Sequence, residues 1–129
     1  MIRNKLNIKH AIQRVNRHKL LTLSFWLCAA VLLILVVIPD DPDNGGVLTM
    51  KFTETGFIVH AAAYFVLFGL GVGAYPGALA RLIPGVLLYG VACEAIQLFI
   101  PYRSFNPVDI AANVLGIGLF YVLYLLTKR

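Results

Sequence analysis

What most limits the folds open to this chain is how its charges leave long stretches bare. Nothing charged lies from Leu20 through Ile38, from Thr55 through Ala80, or from Ile110 through Thr127. A fourth stretch, Leu82 to Ile100, holds a single charge, Glu94. A helix rises about 1.5 Å per residue and needs about 20 mostly apolar residues to cross a bilayer core. Four such spans consume most of the 129 residues, and a composition 60% hydrophobic and 13% charged fits that use. No room remains for a soluble catalytic domain. The expected fold is therefore all-α: a polytopic membrane protein made of a bundle of four transmembrane helices.

The spans read as Leu20 to Ile38, Gly56 to Tyr75, Leu82 to Ile100 and Val108 to Leu126, separated by proline-containing turns. Pro76 and Gly77 make a tight turn, and Pro84, lacking an amide hydrogen, belongs near the first turn of the third helix or at a kink. Six basic residues (Arg3, Lys5, Lys9, Arg14, Arg17, Lys19) precede the first span, a layout resembling a signal peptide. After Ile38, however, Pro39, Asp40, Asp41 and Pro42 stand where a small-residue cleavage site would be, so a retained helix is expected. With the N-terminus inside, nine of the eleven basic residues fall on the cytoplasmic side, and only Lys51 and Arg103 lie outside. That asymmetry obeys the positive-inside rule and places both termini in the cytoplasm. The chain divides into a basic cytoplasmic tail, 1–19, and one transmembrane domain, 20–129. Ile2, Leu6, Ile12 and Val15 could line a short surface helix against anionic headgroups, but a topology-setting tail is the simpler reading.

Several function classes drop out. The net charge of +5 does not indicate nucleic acid, because the basic residues flank hydrophobic spans instead of interleaving with exposed aromatics. Cys28 and Cys93 are too few for a disulfide or zinc scaffold and sit in apolar runs as small core residues. The loop from Pro39 to Thr55 carries Asp40, Asp41 and Asp43, yet counting from Asp41 the twelfth position is Phe52, so the bidentate carboxylate of a calcium loop is missing. Gly69, Gly71 and Gly73 lie inside an apolar span with no strand before them, which excludes a dinucleotide loop. Gly69 with Gly73, and Ala112 with Gly116, have the small-xxx-small spacing of helix contact seams.

Polar side chains inside spans are costly in lipid, so their positions are informative. His60 and Tyr64 are four apart on the second helix, Glu94 and Gln97 three apart on the third, and Asp109 and Asn113 four apart on the fourth. Each pair shares a helix face. With alternating helix directions all three pairs fall in the outer leaflet, and His60, Glu94 and Asn113 sit at matched depth, roughly 6 to 9 Å below the boundary. Arg103, in the short connector Pro101 to Pro107, is placed to pair with Glu94 or Asp109, or to hold a ligand's phosphate or carboxylate. Plainer roles exist for some of these. Asn106, Pro107 and Asp109 form a helix start, with Asn106 as N-cap, Pro107 at the first position and Asp109 at the third. Asn113 and Gln97 suit interhelical hydrogen bonds, and His60 and Tyr64 a contact within the bundle. Glu94, with no basic residue within one turn, needs a tertiary partner. His60, Glu94 and Asp109 show no metalloprotease-type ligand spacing, so neither a metal nor another cofactor is expected.

The series Glu94, Gln97, Arg103, Asp109, Asn113, Gly116, preceded by His60 and Tyr64, resembles the signature of VanZ-like membrane proteins across His60 to Gly118. Members commonly carry an Asp-Lys pair three and four residues before the histidine; here Gly56 and Phe57 stand there, with Glu54 close enough to replace the acid. The resemblance implies a multi-pass protein of the bacterial cytoplasmic membrane that affects glycopeptide tolerance, especially toward teicoplanin. It also implies His60, Tyr64, Glu94, Gln97, Arg103, Asp109 and Asn113 as site residues. The expected function is an outer-leaflet polar pocket that binds an anionic lipid-linked envelope precursor or the glycopeptide itself. One alternative is a membrane-surface enzyme with Glu94 or His60 as general base, though no nucleophile motif supports it. Another is a structural partner whose polar cluster only locks the bundle. Proton-coupled transport would require more spans than four, which oligomerisation could provide.

Overall fold

The computed structural model describes residues 2–38, 54–101 and 103–128, and these form four helices: α1 (Ile2–Val37), α2 (Glu54–Ala74), α3 (Leu79–Gln97) and α4 (Pro107–Thr127). The described residues contain no strand. All four helices are long and apolar enough to cross a membrane, in α1 from Ile12 onward. The aspartate-bearing loop Pro39–Thr53 lies outside the described residues, as does the side chain of Glu54.

Helix α2 is the centre of the bundle: it packs against α1, α3 and α4, whereas α1 and α4 do not touch among the described residues. Its stripe of Tyr64, Leu67, Phe68 and Ala74 is buried, repeating at helical spacing toward its neighbours. Among the described side chains of α1 only Phe25 and Ala29 are buried, while Leu20, Leu23, Trp26, Leu27, Val31 and Ile34 are exposed, as suits a peripheral helix facing lipid. Two hydrogen bonds fix its register. The Trp26 indole donates to the Tyr75 hydroxyl (2.8 Å), and the Tyr89 hydroxyl donates to the Ala29 carbonyl (2.5 Å).

Small residues set the closest approach. A Cβ built on Gly116 would overlap the Ala61 carbonyl and lie 2.9 Å from the Phe65 backbone nitrogen, so α2 and α4 meet backbone to backbone there. Ala112, one turn earlier, is fully buried on the same seam. The expected Gly69–Gly73 seam divides instead between two neighbours: Gly69 faces the Phe120 ring of α4, and Gly73 faces Leu21 of α1.

The turn joining α2 to α3 is as expected. Ala78 N–H donates to the Tyr75 carbonyl (3.1 Å), with Pro76 and then Gly77, at φ +88°, between them. Proline followed by a positive-φ glycine is the signature of a type II turn.

Three boundaries differ from expectation. No break separates the basic tail from the first span, because residues 2–38 contain neither glycine nor proline to end the helix. The tail is thus the first part of α1, not a separate surface helix, and Ile12 to Leu20 are all exposed. Helix α3 begins three residues earlier than expected and holds Pro84 in its second turn, where the missing amide hydrogen removes the hydrogen bond to the Ala80 carbonyl. It also ends three residues earlier, at Gln97. From there Leu98, Phe99 and Ile100 donate to carbonyls three residues back, a tightened exit that stops before Pro101.

Candidate functional site

Glu94 lies on the inner stripe of α3 with Val86, Gly90, Cys93 and Gln97, and it is 1% exposed. Its partner comes from the next connector: the backbone N–H of Asn106 donates to Glu94 Oε2 at 3.4 Å. Asn106 is itself the N-cap of α4, its side-chain oxygen accepting from Val108 N–H (3.0 Å), with Pro107 next and Asp109 in the first turn. The start of α4 thereby sits against the end of α3, and a carboxylate at that helix start is favoured by the local dipole.

Across the same end of the bundle, His60 of α2 meets both polar residues of α4. His60 Nδ1 is 3.2 Å from Asn113 Oδ1, and His60 Nε2 is 3.9 Å from Asp109 Oδ2. An amide oxygen only accepts, so the first contact is a hydrogen bond in the tautomer whose Nδ1 carries the proton and donates. The second contact is an ion pair only when the imidazole is protonated. One ligand atom from each of His60, Glu94 and Asp109 falls within 4.8 Å of the other two. Asn113 is 3% exposed, and its Nδ2 has no hydrogen-bond partner among the described residues.

Of the seven residues singled out in the sequence, the structure brings four together: His60, Glu94, Asp109 and Asn113. Tyr64 lies immediately below them. A Cβ on Gly90 would sit about equally close to the Tyr64 ring and hydroxyl and to Asn113 Nδ2, at 3.0 to 3.1 Å, so the absence of a side chain at Gly90 lets both groups reach α3. Gln97 is buried on the Glu94 face, one turn nearer the connector.

Arg103 is placed elsewhere. Its guanidinium donates to the Ile38 carbonyl (3.3 Å) and the Leu35 carbonyl (3.4 Å), not to Glu94 or Asp109. The last carbonyls of α1 have no partner within the helix, and a cation at a helix C-terminus gains from the dipole as well. Two participants were not apparent from the sequence: the backbone N–H of Asn106 as the partner of Glu94, and Gly90 as the gap that admits Tyr64 and Asn113. Only the N-cap motif at Asn106 signalled the first in advance.

The arrangement offers one imidazole and two carboxylates to a shared point, oriented by a buried amide. Such a set can bind a cation or move a proton; the carboxylates disfavour an anion unless a positive charge accompanies it.

Over 95 residues the chain is 35% identical to the uncharacterized membrane protein YwnJ of Bacillus subtilis (strain 168), an alignment taking in 68% of this chain and 66% of that protein. The chain thus spans just under two thirds of that relative's length. No family model matches the chain. No solved structure matches it. With four spanning helices and this relative, the chain is an integral membrane protein in contact with the lipid bilayer.

Proposed function

We propose that this is a VanZ-like protein of the bacterial cytoplasmic membrane whose polar cluster, at the outer end of the bundle, engages the headgroup of an anionic lipid-linked envelope component and so alters glycopeptide tolerance. The observation that carries the reading is convergence: His60, Glu94, Asp109 and Asn113 come from three helices to one place beside the connector between α3 and α4. A bundle built only to span would have no use for so costly a group as a carboxylate 1% exposed. Charge supports the outer location, since the basic residues gather at the opposite end, among them Arg81 and Lys128. Lys128 lies over the Tyr124 ring at 4.7 Å, an interfacial anchor at that end.

A headgroup would approach the cluster from the connector side, where the His60 and Asp109 side chains are 30% and 20% exposed. Arg103, held on the α1 carbonyls, frames that side instead of forming its floor. The test is native mass spectrometry of the purified chain with anionic and zwitterionic lipids and with lipid-linked precursor. Retention of the anionic species by wild type and its loss in folded His60→Ala, which removes the one side chain of the cluster able to carry a positive charge, is expected. Equal retention of all lipids by both proteins would remove the basis for the reading.

A further inference from the structure

Three helices each deliver one metal-binding group to a single point: His60 from α2, Glu94 from α3 and Asp109 from α4, with ligand atoms all within 4.8 Å of one another. Bonds from zinc to nitrogen and oxygen are about 2.0 to 2.2 Å. Side-chain rotations of under about 1 Å per ligand would bring all three onto one ion.

A second observation points the same way. The Asn113 amide, 3% exposed, turns its oxygen to His60 Nδ1 at 3.2 Å. In the tautomer with its proton on Nδ1, the ring turns its Nε2 lone pair toward the Asp109 carboxylate 3.9 Å away. In that form lone pair and carboxylate repel, and a proton or a metal cation between them reverses the sign. Fixing the tautomer through the distal ring nitrogen is how metal-binding histidines are commonly oriented. Asn113 meanwhile leaves its own buried Nδ2 without a partner among the described residues. An amide placed only for packing would be expected to satisfy both ends.

We infer that His60, Glu94 and Asp109 bind one divalent first-row metal ion, of the zinc or manganese kind, with Asn113 orienting the histidine. Two carboxylates match the charge of a 2+ ion. One imidazole with two carboxylates and no thiolate suits such an ion better than copper(I), which prefers sulfur, or calcium, which takes six to eight oxygens. The site is closed below by Glu94 and partly open at His60 and Asp109, so a fourth position faces the bundle end. Three protein ligands with an open position is the form of sites that bind a further ligand. A phosphate oxygen could take that position, and the ion would supply the positive charge that the carboxylates alone withhold from an anion. The inference stands on the cluster's geometry and does not depend on the envelope reading.

The test uses the purified full chain in detergent, stripped with chelator, dialysed against zinc and measured by elemental mass spectrometry, with cobalt(II) as the optical probe. Wild type is expected to hold one zinc per chain and to give a cobalt visible band. His60→Ala, Glu94→Gln and Asp109→Asn should each lose stoichiometric binding, and Asn113→Ala should weaken it by about 10- to 100-fold. Circular dichroism and gel filtration establish which variants fold; partly exposed Asp109 is the substitution most easily tolerated. Wild type holding no zinc, or equal affinity in wild type and folded Asp109→Asn, would overturn the site. Because no lipid or glycopeptide is present, failure to bind zinc overturns the metal site alone, and the envelope reading falls only with the lipid-retention test.

Discussion

At Gly116 a methyl group has nowhere to go, because the Ala61 carbonyl and the Phe65 backbone already occupy the space. Backbone cannot step aside as a flexible side chain can, so Gly116→Ala should destabilise the bundle by about 1–3 kcal/mol. Gly118, two residues on, has no neighbour within contact distance, and Gly118→Ala should be close to neutral. Thermal unfolding of both variants in one detergent checks the pair; equal midpoints would contradict the backbone seam. Tyr89→Phe removes only the hydrogen bond to the Ala29 carbonyl and should cost about 0.6 kcal/mol, the average for such bonds between membrane helices. At this scale the sequence discloses which residue types are unusual for a span but not their partners. Glu94 was legible as a group in need of a partner. That the partner is the Asn106 backbone N–H, twelve residues away across a connector, is a property of how the chain turns and not of any spacing pattern. Arg103 illustrates the same limit: a lone cation near two acids reads as their mate, while the open carbonyls of α1 become visible only when the helices are assembled.

The elements themselves were largely legible, since hydrophobic length identifies spans and turn residues punctuate them. Asn106 with Pro107 fixes the start of α4, and Pro76 with Gly77 fixes the turn before α3. Boundaries that depend on what fails to stop a helix were less so, as the unbroken run of α1 and the early end of α3 show. Arg103→Ala should loosen the α1 end without disturbing the cluster. A cysteine placed at Ile38 in that background should react with maleimide several-fold faster than in wild type, while lipid retention persists. Loss of retention with unchanged reactivity would mean that Arg103 belongs to the ligand site after all. Gly77→Ala should cost about 1–2 kcal/mol because φ +88° is strained for any residue with a Cβ, despite open space around it.

For the whole molecule, the directions of α2, α3 and α4 place the cluster at the end remote from the exposed basic part of α1. Under the positive-inside rule that end is expected to be extracytoplasmic. In cells, with Cys28 and Cys93 changed to alanine, an impermeant maleimide should label Ser104→Cys from outside and leave Pro76→Cys unlabelled until the membrane is opened. The reverse pattern would put the site on the wrong face for envelope chemistry. The charges give an expected sidedness, and convergence was legible in part from matched depth. The identity of the occupant was not, because one imidazole and two carboxylates on separate helices leave no linear ligand motif.

The central claim is that the cluster acts chemically at the envelope and does not merely lock the helices. Its most direct test is teicoplanin susceptibility in cells lacking the protein, complemented with wild type or with Glu94→Gln at matched membrane abundance and folding. A shift in susceptibility with wild type and none with Glu94→Gln is the predicted result. A shift of equal size with both proteins would contradict it, because a folded bundle without the carboxylate would then suffice.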